Sequence, residues 1–166
     1  LAARCFGSRS WALSNHDCKR LASRWGQDSN NLHQLETFAA FQLSLRGSPC
    51  VYQGDELGLT EANIAFEDLQ DPYGITMWPE FKGRDGCRTP MPWQEDQYHA
   101  GFSNVQPWLP VATEHLNKSV LTQQQTPGSL LHFYQQFLNW RKGQATLQKG
   151  DMQLLPHHQQ VVAFTR

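Results

Sequence analysis

The sequence predicts an α/β fold built on parallel strands, with an antiparallel β module starting near its end. Three observations carry that expectation. Two short apolar runs, Trp11-Ala12-Leu13 and Cys50-Val51-Tyr52, each run into polar and acidic residues, Ser14-Asn15-His16-Asp17 and Gln53-Gly54-Asp55-Glu56. One segment of helical periodicity lies between them, so strand, helix and strand follow within about forty residues, as in a right-handed βαβ crossover. The tail alternates instead, with Met152-Gln153-Leu154-Leu155, a turn from Pro156 to Gln159 and the run Gln160 to Thr165, which reads as a β-hairpin.

The first strand is predicted over Trp11 to Asp17, delivering a His and an Asp together at its C-terminal tip. Charge placed at the end of a buried strand costs free energy unless a partner, solvent or a ligand meets it. In parallel α/β architectures that tip is where ligands sit. Asn30-Asn31 offers a helix cap, and Leu32, Leu35, Phe38, Ala39 and Leu45 then recur at helical spacing until Gly47-Ser48-Pro49 stops the helix. The second strand, Cys50 to Gln53, is apolar on both sides, which suits a parallel sheet covered on both faces.

From Leu57 to Pro127 no long periodic run occurs, and Pro72, Pro79, Pro90, Pro92, Pro107 and Pro110 stiffen the segment. A connection of this length is a functional loop or a small subdomain. Its aromatics, Phe66, Tyr73, Trp78, Phe81, Trp93, Tyr98, Phe102 and Trp108, suit stacking against the apolar faces of sugar rings or a minicore of the loop itself. A second helix is predicted from Ser129 to Gly143, with Leu130, Tyr134, Phe137, Leu138 and Arg141 along one side.

Bulk composition narrows the function classes. With 39% hydrophobic and 17% charged residues and a formal net charge of −1, the 166-residue chain reads as globular and carries no basic tract to track phosphates, so no nucleic-acid partner is expected. The seven His are scattered, apart from His157-His158 in a predicted turn, and neither an H-x-x-x-H nor an H-E-x-x-H spacing occurs, so no metal site is expected. Cys5, Cys18, Cys50 and Cys87 form no C-x-x-C pair and read as free thiols, which predicts a cytoplasmic location. Leu1 to Phe6 is too short for a signal peptide, and no stretch approaches the roughly 20 apolar residues of a membrane span. Opening on Leu1 without an initiating Met, the chain reads as the interior of something longer.

The motifs resemble a known family. Ser14-Asn15-His16-Asp17 followed by Arg20 resembles the strand-seven motif of glycoside hydrolase family 13, and Tyr52-Gln53-Gly54-Asp55-Glu56-Leu57-Gly58 its strand-eight motif. Gly83-Arg84-Asp85-Gly86-Cys87-Arg88-Thr89-Pro90-Met91-Pro92-Trp93 resembles the signature of the family's exo-acting α-glucosidase branch, and Asp71-Pro72-Tyr73-Gly74 and Trp78-Pro79-Glu80-Phe81 fit its bacterial members. The resemblance implies a (β/α)8 barrel whose active site is built from loops at the C-terminal ends of the strands. Residues 1–143, with the long loop 57–128, correspond to the last two strands and helices of that barrel, and residues 144–166 to the start of a C-terminal β-domain.

By the same resemblance Asp17 is the acid that hydrogen-bonds the sugar hydroxyls and favours the distorted transition state, with His16 donating to the same ring. Arg88 lies at the non-reducing end of the glucose pocket, pairing with an Asp upstream of this chain, and Arg20 lines the aglycone side. Arg84 and Asp85 read as an ion pair pinning the loop, and Cys18 and Cys87 as packing thiols. Retention needs a nucleophilic carboxylate and an acid roughly 5–5.5 Å apart; in this family both precede strand seven, and the family's counterpart of Glu56 bonds backbone, so Asp17 and Glu56 are not expected to replace them. The implied partner is a maltose- or isomaltose-like oligosaccharide, without nucleic acid, membrane or a cofactor bound by these residues. Sucrose-isomerase or trehalose-synthase relatives, and non-catalytic members like the heavy chains of amino-acid transporters, remain alternatives. The intact set of His16, Asp17 and Arg88 speaks against a mere scaffold.

Overall fold

A computed structural model describes residues 9–25, 31–156 and 159–166, so the readings of Cys5, Asn30 and the turn at His157-His158 lie outside the described residues. Strand β1 (Ser10–Trp11) runs parallel to β2 (Ser48–Pro49), with Ser10 opposite Ser48 and Trp11 opposite Pro49. The pair is held by the Ser48 amide donating to the Arg9 carbonyl at 2.9 Å and the Cys50 amide to the Trp11 carbonyl at 2.8 Å. Pro49, which lacks an N–H, occupies the register position that faces away from β1, so its missing donor costs this ladder nothing. The predicted helix stop at Gly47-Ser48-Pro49 is thus partly strand.

The first strand is much shorter than expected. Pairing ends after Trp11, and the polar tip is a tight turn closed by an antiparallel bridge between Asn15 and Cys18, with His16 and Asp17 at its crown. Asn15 makes this possible, because its side-chain oxygen accepts the Asp17 amide at 2.8 Å and so satisfies the backbone that leaves the ladder.

Helix α1 (Leu21–Arg24) follows the turn, and α2 (Leu32–Ser44) begins on Asn31, whose side chain accepts the Gln34 amide at 3.1 Å. The face that α2 buries carries Leu35, Ala39 and Leu43 but also Gln42. That amide is half satisfied: its nitrogen donates to the Trp11 and Cys50 carbonyls, both at 2.9 Å, and so ties the helix to both strands, while its Oε1 is buried without a partner among the described residues. Leu45 leaves the helix in an extended conformation yet stays buried.

The long connection has its own architecture. It contains α3 (Pro72–Thr76) and α4 (Val120–Gln125), together with single 3₁₀ turns at Phe66–Asp68, Asp85–Cys87, Tyr98–Gly101 and Thr113–Lys118. Ala62, Ile64, Leu69 and Ala112 form a small core with Trp78 against it, and the Phe66 ring lies 5.5 Å from Trp78. The minicore reading holds for Trp78, while Tyr73, Phe81, Trp93, Tyr98, Phe102 and Trp108 are exposed. The connection is moored to the second strand tip by the Tyr52 hydroxyl donating to the Cys87 carbonyl at 2.9 Å, and by the Gln123 amide donating to the Leu57 carbonyl at 2.8 Å.

Helix α5 (Leu130–Lys142) starts on Ser129, which accepts the His132 amide at 3.3 Å. It packs along α2, and Ala22, Leu35, Ala39, Leu43, Leu130 and Tyr134 make the largest buried cluster. Each fully buried Leu there contributes about 1.5–3 kcal/mol. Helix α6 (Ala145–Lys149) leads into an antiparallel pair, β3 (Gln153–Leu154) with β4 (Phe164–Thr165), where Gln153 faces Thr165.

Candidate active site

Asp17 stands at the crown of the first turn with its side chain about half exposed, at 53%. Its Oδ1 accepts from two guanidinium groups, Arg84 Nη1 at 3.0 Å and Arg88 Nη2 at 3.1 Å. Among the described residues Oδ2 meets the Nε2 atom of His16, at 3.3 Å. Arg88 also donates from Nε to the His16 carbonyl at 2.8 Å, so it pins the backbone of the crown as well as the carboxylate. Three of the residues picked out in the sequence, His16, Asp17 and Arg88, are thus brought together. Within this chain Arg88 reaches Asp17; the Asp with which the resemblance pairs it lies outside these residues.

Arg84 is the residue the sequence reading placed wrongly. Its partner is not the adjacent Asp85 but Asp71, which it grips with Nε on Oδ2 and Nη2 on Oδ1, both at 2.9 Å, while its own amide donates to Oδ2 at 2.8 Å. Asp71 is buried, and the Arg84 hydrogen bonds hold its carboxyl far below the usual carboxylate range despite the desolvation that acts the other way. The same pairing raises the pKa of Arg84. Asp85 instead turns inward, where its Oδ2 accepts the Gln70 and Asp71 amides, each at 2.7 Å. Adjacent charges could not reveal this, because an i,i+1 pair faces in different directions. The usable signal was Asp71-Pro72, a capping residue followed by proline at the first helical position, which marks Asp71 as a structural anchor.

Arg20 does not stand on an open wall of the site. It is wholly enclosed, with Nη1 donating to the Gln53 carbonyl at 2.6 Å and its guanidinium 5.5 Å from the centre of the Tyr52 ring. Burial pulls its pKa down, partly opposed by the fields of Tyr52 and Asp55. The reason for this inward course is local. Gly54, at φ +90°, leaves the room that a Cβ would take, since such an atom would fall 2.6 Å from Arg20 Nη1. Arg20 thus buttresses the two strand tips from behind.

The second tip is also internal. Ser14 donates to both oxygens of Asp55 at 2.6 Å, joining the two tips directly, and burial pushes the Asp55 carboxyl up to about 6. Glu56 folds back to accept the Gly54 amide at 2.8 Å, which leaves it serving its own turn. Cys87 is buried and its thiol is pushed up to about 11 by desolvation, so it has little thiolate character. Among the described residues no group of three or more His, Cys, Asp or Glu could hold a metal ion.

The site's half-exposed group is the Asp17 carboxylate, held at Oδ1 by two cations with an imidazole beside Oδ2, close to the parallel strand pair. Such an arrangement can accept hydrogen bonds from hydroxyl groups and steady positive charge developing beside it.

Comparison with known proteins identifies the family. The family model described as Alpha amylase, catalytic domain, matches residues 4–150. The probable alpha-glucosidase of Rhizobium meliloti (strain 1021) is 46% identical over 162 residues, covering 96% of this chain and 29% of that protein. An oligo-1,6-glucosidase of Heyndrickxia coagulans is 32% identical over 174 residues, covering 93% of this chain and 31% of that protein. The crystal structure of the alpha-glucosyl transfer enzyme XgtA superposes with a TM-score of 0.88 at 49% identity, covering 95% of this chain and 29% of that chain. The chain thus spans about a third of the length of the relatives it matches.

Fold and site together define part of a (β/α)8 barrel, its parallel strands leading to polar turns. The chain belongs to the alpha-amylase family, glycoside hydrolase family 13.

Proposed function

We propose that this chain forms the last part of the catalytic barrel of a retaining α-glucosidase, which releases terminal α-linked glucose from short oligosaccharides of the maltose or isomaltose kind. The observation that carries the reading is the state of Asp17: an exposed carboxylate at a strand tip, held by Arg84 and Arg88 with His16 beside it. In this reading Asp17 accepts from the hydroxyls of the glucose ring as it flattens toward the oxocarbenium-like transition state, and His16 donates to the same ring. Arg88 forms the wall nearest the non-reducing end, and Arg20 supports the floor instead of touching the aglycone. The nucleophile and the general acid come from polypeptide preceding Leu1 in sequence order, because Asp55 and Glu56 are each engaged inside the fold.

The test uses the full-length enzyme that contains this segment. Asp17→Asn is expected to lower kcat/KM on an aryl α-glucoside by about 10²–10³, the size of a lost transition-state contact, while the melting temperature stays near that of the parent. An unchanged rate would remove Asp17 from the site.

A second reading is glucosyl transfer in place of hydrolysis, favoured by the likeness to XgtA. Product analysis with maltose and with sucrose separates the two. Hydrolysis yields free glucose, whereas transfer or isomerisation yields new glucosides from the same barrel.

A further inference from the structure

Resting on that reading of Asp17, we infer that Arg84 is a positioning residue for the reaction: anchored on Asp71, it fixes the Asp17 carboxylate so that Oδ2, and not Oδ1, meets the sugar. The geometry supports each step. A guanidinium has two edges, and Arg84 uses one of them, Nε with Nη2, on both oxygens of Asp71. Only Nη1 is left to reach across 67 positions of sequence to Asp17 Oδ1, at 3.0 Å. Arg88 donates to that same oxygen at 3.1 Å, so Oδ1 is committed to two cations and Oδ2 is the oxygen with acceptor capacity to spare.

The anchor is stiff. Asp71 is 1% exposed, and it binds the backbone amide of Arg84 as well as its side chain. Its own amide is held by Asp85, which is fully buried. The Tyr73 ring at the start of α3 lies 5.2 Å from the guanidinium carbon and covers its face. A chain of charge-assisted contacts therefore leads from the interior of the long loop to the crown of the strand turn, with no link longer than 3.0 Å from the Asp85 carboxylate to Asp17. Arg88, on the same loop, divides its guanidinium differently, with Nε on the His16 carbonyl and Nη2 on the carboxylate. What sets Arg84 apart is that its guanidinium is also clamped on the buried Asp71 carboxylate. A lysine, with one point charge and no fork, cannot bind Asp71 through both oxygens and reach Asp17 as well.

The experiment is a double-mutant cycle in the full-length enzyme, with kcat and KM read separately and melting temperatures recorded. Arg84→Lys and Arg84→Met are each expected to lower kcat by about 10- to 100-fold with a much smaller change in KM, the effect of a misplaced group and not of a lost binding contact. In an Asp17→Asn background the same Arg84 changes are expected to have no further effect on kcat, because the oxygen they position no longer carries charge. Full activity in Arg84→Met, or losses that multiply with that of Asp17→Asn, would overturn the inference. Wild-type activity in Asp17→Asn alone would instead overturn the reading of Asp17 itself, which keeps the two failures apart. Should Arg84→Met melt below the assay temperature, Arg84→Lys and Asp71→Asn complete the same cycle with the same criteria.

Discussion

Ser14 and Asp55 meet where the two strand tips come together, and the cost of that meeting depends on pH. Desolvation is the largest influence on Asp55, ahead of the Ser14 hydrogen bond and the Arg20 field that oppose it and the Glu56 field that adds to it; Tyr134, on α5, also feels its charge. The carboxyl therefore titrates near 6 in the fold against 3.8 in the open chain. A raised pKa favours the protonated form, so this contribution to stability is complete below about pH 4 and is lost as the pH rises through 6. Asp55→Asn keeps an acceptor for Ser14 and has no charge to bury. Urea titrations of the full-length protein should show the variant gaining on the parent by up to about 3 kcal/mol between pH 4 and pH 7. A constant difference between the two proteins across that range would contradict the burial argument. At this scale the sequence shows which side chains have the right chemistry but not which of them meet. Arg84 could be read as the partner of Asp85, because nothing in the order of residues says that Asp85 turns inward to hold two backbone amides.

Helix α2 shows what a periodicity reading captures and what it omits. Leu35 and Ala39 sit on the predicted face, and Asn31 caps as a side chain of its type should. Gln42 shares that face and is fully buried, although its polarity argues for solvent. Its nitrogen joins the Cys50 amide on the Trp11 carbonyl and also meets the Cys50 carbonyl, which has no strand partner among the described residues. Gln42→Leu keeps the volume roughly constant and takes the donor from the Cys50 carbonyl, while the Trp11 carbonyl keeps the Cys50 amide. The expected loss is about 1–3 kcal/mol of unfolding free energy, read as a lower denaturant midpoint, the cost of one carbonyl left unpaired. A loss no greater than that of an exposed substitution would mean that water reaches the Cys50 carbonyl. The strands were over-read for a related reason. Apolar runs mark burial, but β1 stops pairing at Trp11 because the chain must turn to present His16 and Asp17.

At the level of the whole molecule, the described parallel sheet has two strands, which cannot close a barrel and leave both outer edges unpaired among the described residues. The residues proposed to contact substrate stand on its rim without an accompanying nucleophile and acid. The 166 residues expressed by themselves are therefore expected to release no product from an aryl α-glucoside. Turnover by the pure chain, abolished by Asp17→Asn, would show that the proposed division of roles is mistaken. Helix α5 packed along α2, with Leu43 and Tyr134 in one cluster, gives this part a core of its own. The minicore around Ile64 and Leu69 does the same for the long loop that carries Arg84 and Arg88.

The sequence by itself determined the family, the α/β class, both long helices with their caps, and the association of His16, Asp17 and Arg88 with one site. These follow from local chemistry and motif spacing, which the order of residues contains directly. Only the tertiary structure decided that Arg20 faces inward, that Arg84 belongs to Asp71 and Asp17, and that Ser14 joins Asp55. Each of those pairings links residues at least 13 positions apart, and which long side chain meets which carboxylate is set by how packed elements meet, not by what lies beside it in the chain.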